Sequence, residues 1–291
     1  MKTLVTRRQV LTATSALALA PLAANAAEQV GMQLILAADV SGSVSPARYR
    51  TQQDGYVEAL GDPRVLKVIG ELDPPVLAIT FIAWSREQAV MVPWMRVHDA
   101  RSMDEFRERL RSEQRPRVGI NTLISQALLF CDARFDKEFI GGRKVIDVSG
   151  DGDDNQGIAG LRTVRDMLVA KGVVINGLPI IVKPPEYIFP PQPPEGLEVY
   201  YRNHVVGGEG HVTIESVGFD NFKNAILQKL LLEIGKADNV SHILRSFPRK
   251  RESRATCSDL LTIALGPRLR GDERKVSHCP NVSSSNALSA R

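Results

Sequence analysis

Apolar residues along this chain gather into short continuous runs separated by longer segments of mixed polarity. The runs at residues 33–38, 76–84, 89–97, 144–148, 173–182 and 211–217 are of strand length; the first lacks period-two alternation, so both of its faces should be covered, the habit of a central parallel strand. Pro93 falls inside the third run, and a residue without an N–H belongs on a sheet edge. Between the runs lie segments with helical spacing. Ser45-Pro46 reads as N-cap and first turn of a helix over 46–60, and Ser102 with Glu105 reads as a capping box opening a helix to about residue 111. Asn121 or Thr122 caps the next helix, over 123–133, and two more follow at 158–170 and 220–234. Strands alternating with helices in this way predict an α/β fold with a doubly wound, mainly parallel six-stranded sheet, helices on both faces and one antiparallel edge strand.

Two stretches break the pattern. Residues 61–75 hold a short apolar piece, 65–72, between proline turns, and residues 183–196 hold six prolines in fourteen positions. The second stretch is expected to leave the sheet as a surface excursion. Gly207-Gly208-Glu209-Gly210 precedes a strand, so it reads as a flexible turn and not as a nucleotide loop.

The two ends change the charge picture. Residues 1–26 carry Lys2, Arg7 and Arg8, an apolar segment over 10–20 and then Ala24-Asn25-Ala26, the order of a signal peptide cut after Ala26. Thr6-Arg7-Arg8-Gln9-Val10-Leu11 has the look of a twin-arginine address. An uncleaved anchor is the weaker reading because the apolar run is short and meets Pro21. The domain is expected over residues 27–239. Residues 240–291 read as a disordered basic tail resembling translated intergenic repeats, as if the frame ran past its stop; a basic interaction tail is the alternative. Lys and Arg number 37 and Asp and Glu 33. Setting both ends aside leaves 24 basic and 29 acidic residues, so the basic balance of the whole chain is no argument for nucleic-acid binding. Mature protein without a membrane span, placed in the periplasm or secreted, is the expectation. Cys131 sits in an apolar helix and is expected to be buried, while Cys257 and Cys279 lie in the tail.

The chemistry concentrates where the first run ends, at Asp39-Val40-Ser41-Gly42-Ser43. A carboxylate and two hydroxyls at alternating positions put three oxygens on one side of a turn, at the strand end where α/β sheets bind ligands. Oxygen donors suit hard cations. This Asp-x-Ser-x-Ser loop resembles the metal-ion-dependent adhesion site (MIDAS) of von Willebrand factor type A domains; a serine-rich capping loop is the plain structural alternative. The resemblance implies a von Willebrand A fold, Rossmann-like in its winding, and carries two further roles onto Thr122, in Gly119-Ile120-Asn121-Thr122, and Asp151, which follows the run at 144–148. By it Ser41, Ser43 and Thr122 would touch the metal, and Asp39 and Asp151 would act partly through water. Thr122 as a helix cap and Asp151 as a turn residue are the alternatives. The segment 200–234, with the loops at Asp39 and Asp151, is similar to a family of exported bacterial proteins of unknown function within that superfamily.

The implied cation is Mg²⁺ or Mn²⁺, and the implied partner is a protein offering a carboxylate to the remaining coordination position. Asp151, Asp153 and Asn155 match positions 1, 3 and 5 of a calcium loop, but Gln156 and Arg162 break that pattern. There is no Gly-x-Ser-x-Gly, phosphate loop or His-Glu-x-x-His, and the five histidines are scattered. Catalysis would require a base from Asp153, Asp154 or His204, and no spacing selects one. A binding module is therefore preferred to a metal-dependent hydrolase, or to a degenerate module that binds through its proline-rich loop.

Overall fold

The computed structural model describes residues 27–182 and 193–235; the expected leader, most of the proline-rich stretch and the basic tail lie outside the described residues. The strands are β1 (Glu28–Gln29), β2 (Met32–Asp39), β3 (Leu77–Trp84), β4 (Gln88–Val97), β5 (Phe139–Ile140), β6 (Arg143–Gly150), β7 (Val173–Ile181) and β8 (Ser216–Val217). The helices are α1 (Pro46–Leu60), α2 (Pro63–Ile69), α3 (Ala100–Ser112), α4 (Ile124–Asp132), α5 (Ile158–Ala170), α6 (Leu197–Tyr200), which runs on into a π-turn at Tyr201–Val205, and α7 (Phe222–Ile234). The main sheet has six strands in the order β4-β3-β2-β6-β7-β8. Every neighbouring pair is parallel except β3 with β4. Pro93 thus sits in an antiparallel edge strand, where its missing N–H costs no ladder bond.

The absence of alternation in the sequence has a direct cause. All eight residues of β2 are buried, and they serve two cores in turn. Met32, Leu34, Leu36 and Ala38 pack with α1, α2, α3 and α7, while Ile35 and Ala37 pack with α4, α5 and α6 on the other face. Each large aliphatic side chain buried in this way contributes roughly 1.5–3 kcal/mol.

Local chemistry departs from expectation at several places. Helix α3 begins one turn earlier than expected. Asp99 is its N-cap, accepting from the Ser102 backbone N–H at 2.8 Å, and the Ser102 hydroxyl lies 3.2 Å from the Asp99 N–H. Asp99 and Ser102 thus form a reciprocal capping box, with Ser102 in the third helical position. Neither Asn121 nor Thr122 caps α4, whose N-cap is Leu123 with no side-chain bond. The piece between the proline turns is helix α2, capped by Asp62 and started by Pro63.

The sixth strand is shorter than the run at 211–217, because its first half is held by other means. Gly207 and Thr213 touch β7 only as isolated bridges, and the Val212 N–H donates to the Asn176 side chain at 2.9 Å. The glycine turn before it lies flat on β7: Gly208, at φ +96°, would put a Cβ 2.9 Å from the Val173 carbonyl.

Candidate metal centre

From β2 the chain moves outward to β3 and β4, then returns to β6 on the opposite side of β2. The crevice at the carboxyl ends of β2 and β6 is the switch point of the winding. Asp39 is the last residue of β2, and Asp151 directly follows β6. Both are buried.

The loop after β2 is shaped by its own first residue. One oxygen of Asp39, Oδ1, accepts from the Ser41 backbone N–H at 2.7 Å. The Ser41 and Ser43 hydroxyls then lie 3.1 Å apart, and Ser43 donates to Asp151 at 2.5 Å. Residues 108 positions apart thereby share one hydrogen bond. Gln52 of α1 donates to the Asp39 carbonyl at 3.0 Å. Arg115 donates to the carbonyls of Val40 at 2.6 Å and Ser41 at 3.2 Å. The loop is held from both sides.

Thr122 is brought to the same place by a clamp that the sequence did not announce. Its N–H donates to the Asn155 side chain at 2.8 Å, and the Asn155 N–H donates back to its carbonyl at 2.8 Å. A Cβ on Gly152 would lie 3.4 Å from the Thr122 hydroxyl oxygen, which puts that oxygen against the turn carrying Asp151. Asp154 takes a structural part: it accepts from the Ser125 N–H at 3.3 Å, closing the first turn of α4 from a different loop. The Asn155 and Asp154 roles depend on which loops meet in space, so spacing along the chain could not reveal them.

The electrostatics of the pair are unbalanced. Asp39 is pushed up to about 8, by burial first and by the charge of Asp151 second. Asp151 is also raised, chiefly by burial, against the Ser43 hydrogen bond and the charge of Arg48. The second oxygen of Asp39, Oδ2, is buried with no hydrogen-bond partner among the described residues, and so is the Tyr201 hydroxyl. Both border Gly150, where a Cβ would stand 2.7 Å from the hydroxyl and 3.1 Å from Oδ2. Buried oxygens of this kind are rare unless another group satisfies them.

Among the described residues no three His, Cys, Asp or Glu side chains converge, so the donor set at the switch point is two carboxylates with the hydroxyls of Ser41, Ser43 and Thr122. That set fits a hard, oxygen-loving cation. Of the residues considered for catalysis, Asp154 is engaged with α4 and His204 faces Glu195 at 3.4 Å. At the rim, Ile120 is 77% exposed, and its carbonyl accepts from the Gly42 N–H at 3.0 Å.

A six-stranded sheet of this order, with one antiparallel edge and helices on both faces, is the von Willebrand factor type A fold. Solved structures of that class resemble the chain. One is proximal thread matrix protein 1 from the mussel byssus, in a form with a zinc-occupied MIDAS motif (14% identity, 70% of this chain and 46% of that one, TM-score 0.50). Others are BatB, a conserved hypothetical protein from Bacteroides thetaiotaomicron (18%, 74% and 100%, 0.42), and von Willebrand factor type A from Catenulispora acidiphila (13%, 71% and 42%, 0.44). The chain spans less than half of the mussel protein's length, and at these identities the likeness is one of fold. Within that class the chain belongs to the family DUF1194, described as a protein of unknown function, whose profile matches residues 29–238. No curated protein matches it.

Proposed function

We propose that this domain, over residues 27–239 and carried outside the cytoplasm by its leader, is a metal-dependent binding module. Mg²⁺ or Mn²⁺ would be held by the hydroxyls of Ser41, Ser43 and Thr122 and by the carboxylates of Asp39 and Asp151. The cation supplies a concentrated positive charge that gives a partner's carboxylate direction as well as affinity. The observation that carries this reading is the buried acid pair. Asp39 has one oxygen committed to the Ser41 N–H and one with no hydrogen-bond partner among the described residues, and its neighbour Asp151 adds like charge. A cation removes that conflict, and the adjacent hydroxyls are the donors it needs. The zinc-occupied MIDAS motif of the mussel thread protein supports a divalent ion in a site of this kind. Two of the three candidate bases, Asp154 and His204, have other engagements, which favours binding over hydrolysis and leaves Asp153 as the residue a hydrolase would have to use.

Calorimetric titration of Mg²⁺, Mn²⁺ and Zn²⁺ into the parent and Asp39→Ala proteins tests the reading. Saturable binding is expected in the parent alone, with the variant still folded. Equal heats in both would sink the assignment of the site.

A further inference from the structure

Beside the metal loop lies a cleft of about 390 Å³, lined by residues of α1 and by the segment that leaves α3. Its wall carries Arg50, Arg111 and Arg115 against one carboxylate, Glu113. Arg111 reaches Glu108 at 2.5 Å, whereas Arg50 pairs with no carboxylate among the described residues. Two of the residues that line the cleft carry a buried donor without an acceptor among the described residues: Tyr49 through its hydroxyl and Arg115 through its Nε. Tyr49 is only 4% exposed. Its phenol is pushed up to about 12, by burial first and Glu113 second, with Arg115 and Arg50 opposing. It is a proton donor at any ordinary pH.

The cleft is also built firmly. Gln53 of α1 donates to the carbonyls of Leu110 at 2.6 Å and Glu113 at 2.7 Å, tying the end of α3 to α1. Arg115 belongs to both places, since its Nη2 holds the Val40 and Ser41 carbonyls of the metal loop while its Nε is left without an acceptor. Orphaned donors beside unbalanced guanidinium charge call for an anionic acceptor.

We propose that this cleft is a carboxylate subsite, formed by Tyr49, Arg50, Arg111 and Arg115, which takes a second acidic group of the partner whose first carboxylate goes to the metal loop. The partner's recognised segment is therefore acidic at two points. The second clause rests on the metal-dependent reading; the cleft's own affinity for carboxylate does not.

The probe is tetraglutamate, titrated into the full chain in chelator at low salt, with tetraglutamine as control. Saturable, salt-sensitive binding of the acidic peptide is expected. Arg50→Gln combined with Arg111→Gln should weaken it by roughly tenfold, as loss of charge-assisted hydrogen bonds requires. Tyr49→Phe, which keeps the ring and its packing, should weaken it several-fold. Equal affinity in the parent, the arginine double variant and Tyr49→Phe, or no binding at all, would overturn the subsite. Failure of manganese to bind is a separate result, which removes the metal reading and leaves the chelator titration to decide the cleft.

Discussion

Gly150 is small for a reason that can be measured. An alanine there would force its Cβ to within 2.7 Å of the Tyr201 hydroxyl and 3.1 Å of the Asp39 Oδ2, in a region already packed by Trp84. We expect Gly150→Ala to destabilise the domain by about 1–3 kcal/mol, the usual cost of overpacking, and to weaken Mn²⁺ binding because the displaced carboxylate is a ligand candidate. Tyr201→Phe removes an orphaned hydroxyl and should leave denaturant stability unchanged or slightly raised, since an unmet donor carries a desolvation penalty. Unfolding curves for the two variants that coincide would show that the gap above Gly150 is not constrained. At this scale residue types and spacing single out Asp39, Ser41 and Ser43 in the sequence, the family resemblance adds Thr122 and Asp151, and the structure brings these residues to one end of the sheet. The sequence did not disclose Tyr201, Gln52 or Asn155, whose contributions arise from distant loops meeting at one point.

Elements report a second polar centre, deep between the sheet and α7. Lys229 of α7 pairs with Asp147 of β6 and, at 3.2 Å, with Glu233 one turn along. All three are buried. Asn176 of β7 donates to Glu233 at 2.8 Å, so the helix is tied to β6 by an ion pair and to β7 by a hydrogen bond as well as by packing. Removing the lysine would leave two buried carboxylates without their cation. Lys229→Ala should therefore cost about 3–5 kcal/mol, the range for breaking a buried pair from one side, seen as a loss of denaturant midpoint. A change of less than about 1 kcal/mol, the value typical of exposed pairs, would mean that water reaches the group. The long elements could be read from sequence since continuous apolar runs and 3.6-residue spacing are strong signals. Helix α2, the π-turn and β1 with β5 could not, being short and fixed by contacts outside themselves. The cap of α3 differs from the sequence expectation for a local reason: two good capping residues, Asp99 and Ser102, stand three positions apart and bond to each other's backbone N–H.

The whole molecule carries an acid burden that ties its stability to pH. Asp39 is raised from 3.8 to about 8 and Glu233 from 4.5 to about 7, in both cases by burial first. A folded state that holds its protons more tightly than the unfolded state is most stable below the unfolded values and loses stability as pH rises through the folded ones. The metal-free protein should accordingly lose thermal stability between about pH 4 and 8, with the loss complete above the higher value. Binding a cation requires the ionised carboxylates, so added Mn²⁺ should raise the Tm more at pH 8 than at pH 5.5. A flat profile, or an equal rise at both pH values, would show that these acids do not carry the linkage.

The return of the chain at the switch point has one more consequence. Ser43 and Asp151 meet across 108 residues, with strands β3 and β4 and helices α1 to α4 lying between them along the chain. No fragment holding only one side of that junction possesses the full donor set. If the proposed site takes a metal, its loading would report completed assembly, because a chain halted before β6 lacks Asp151.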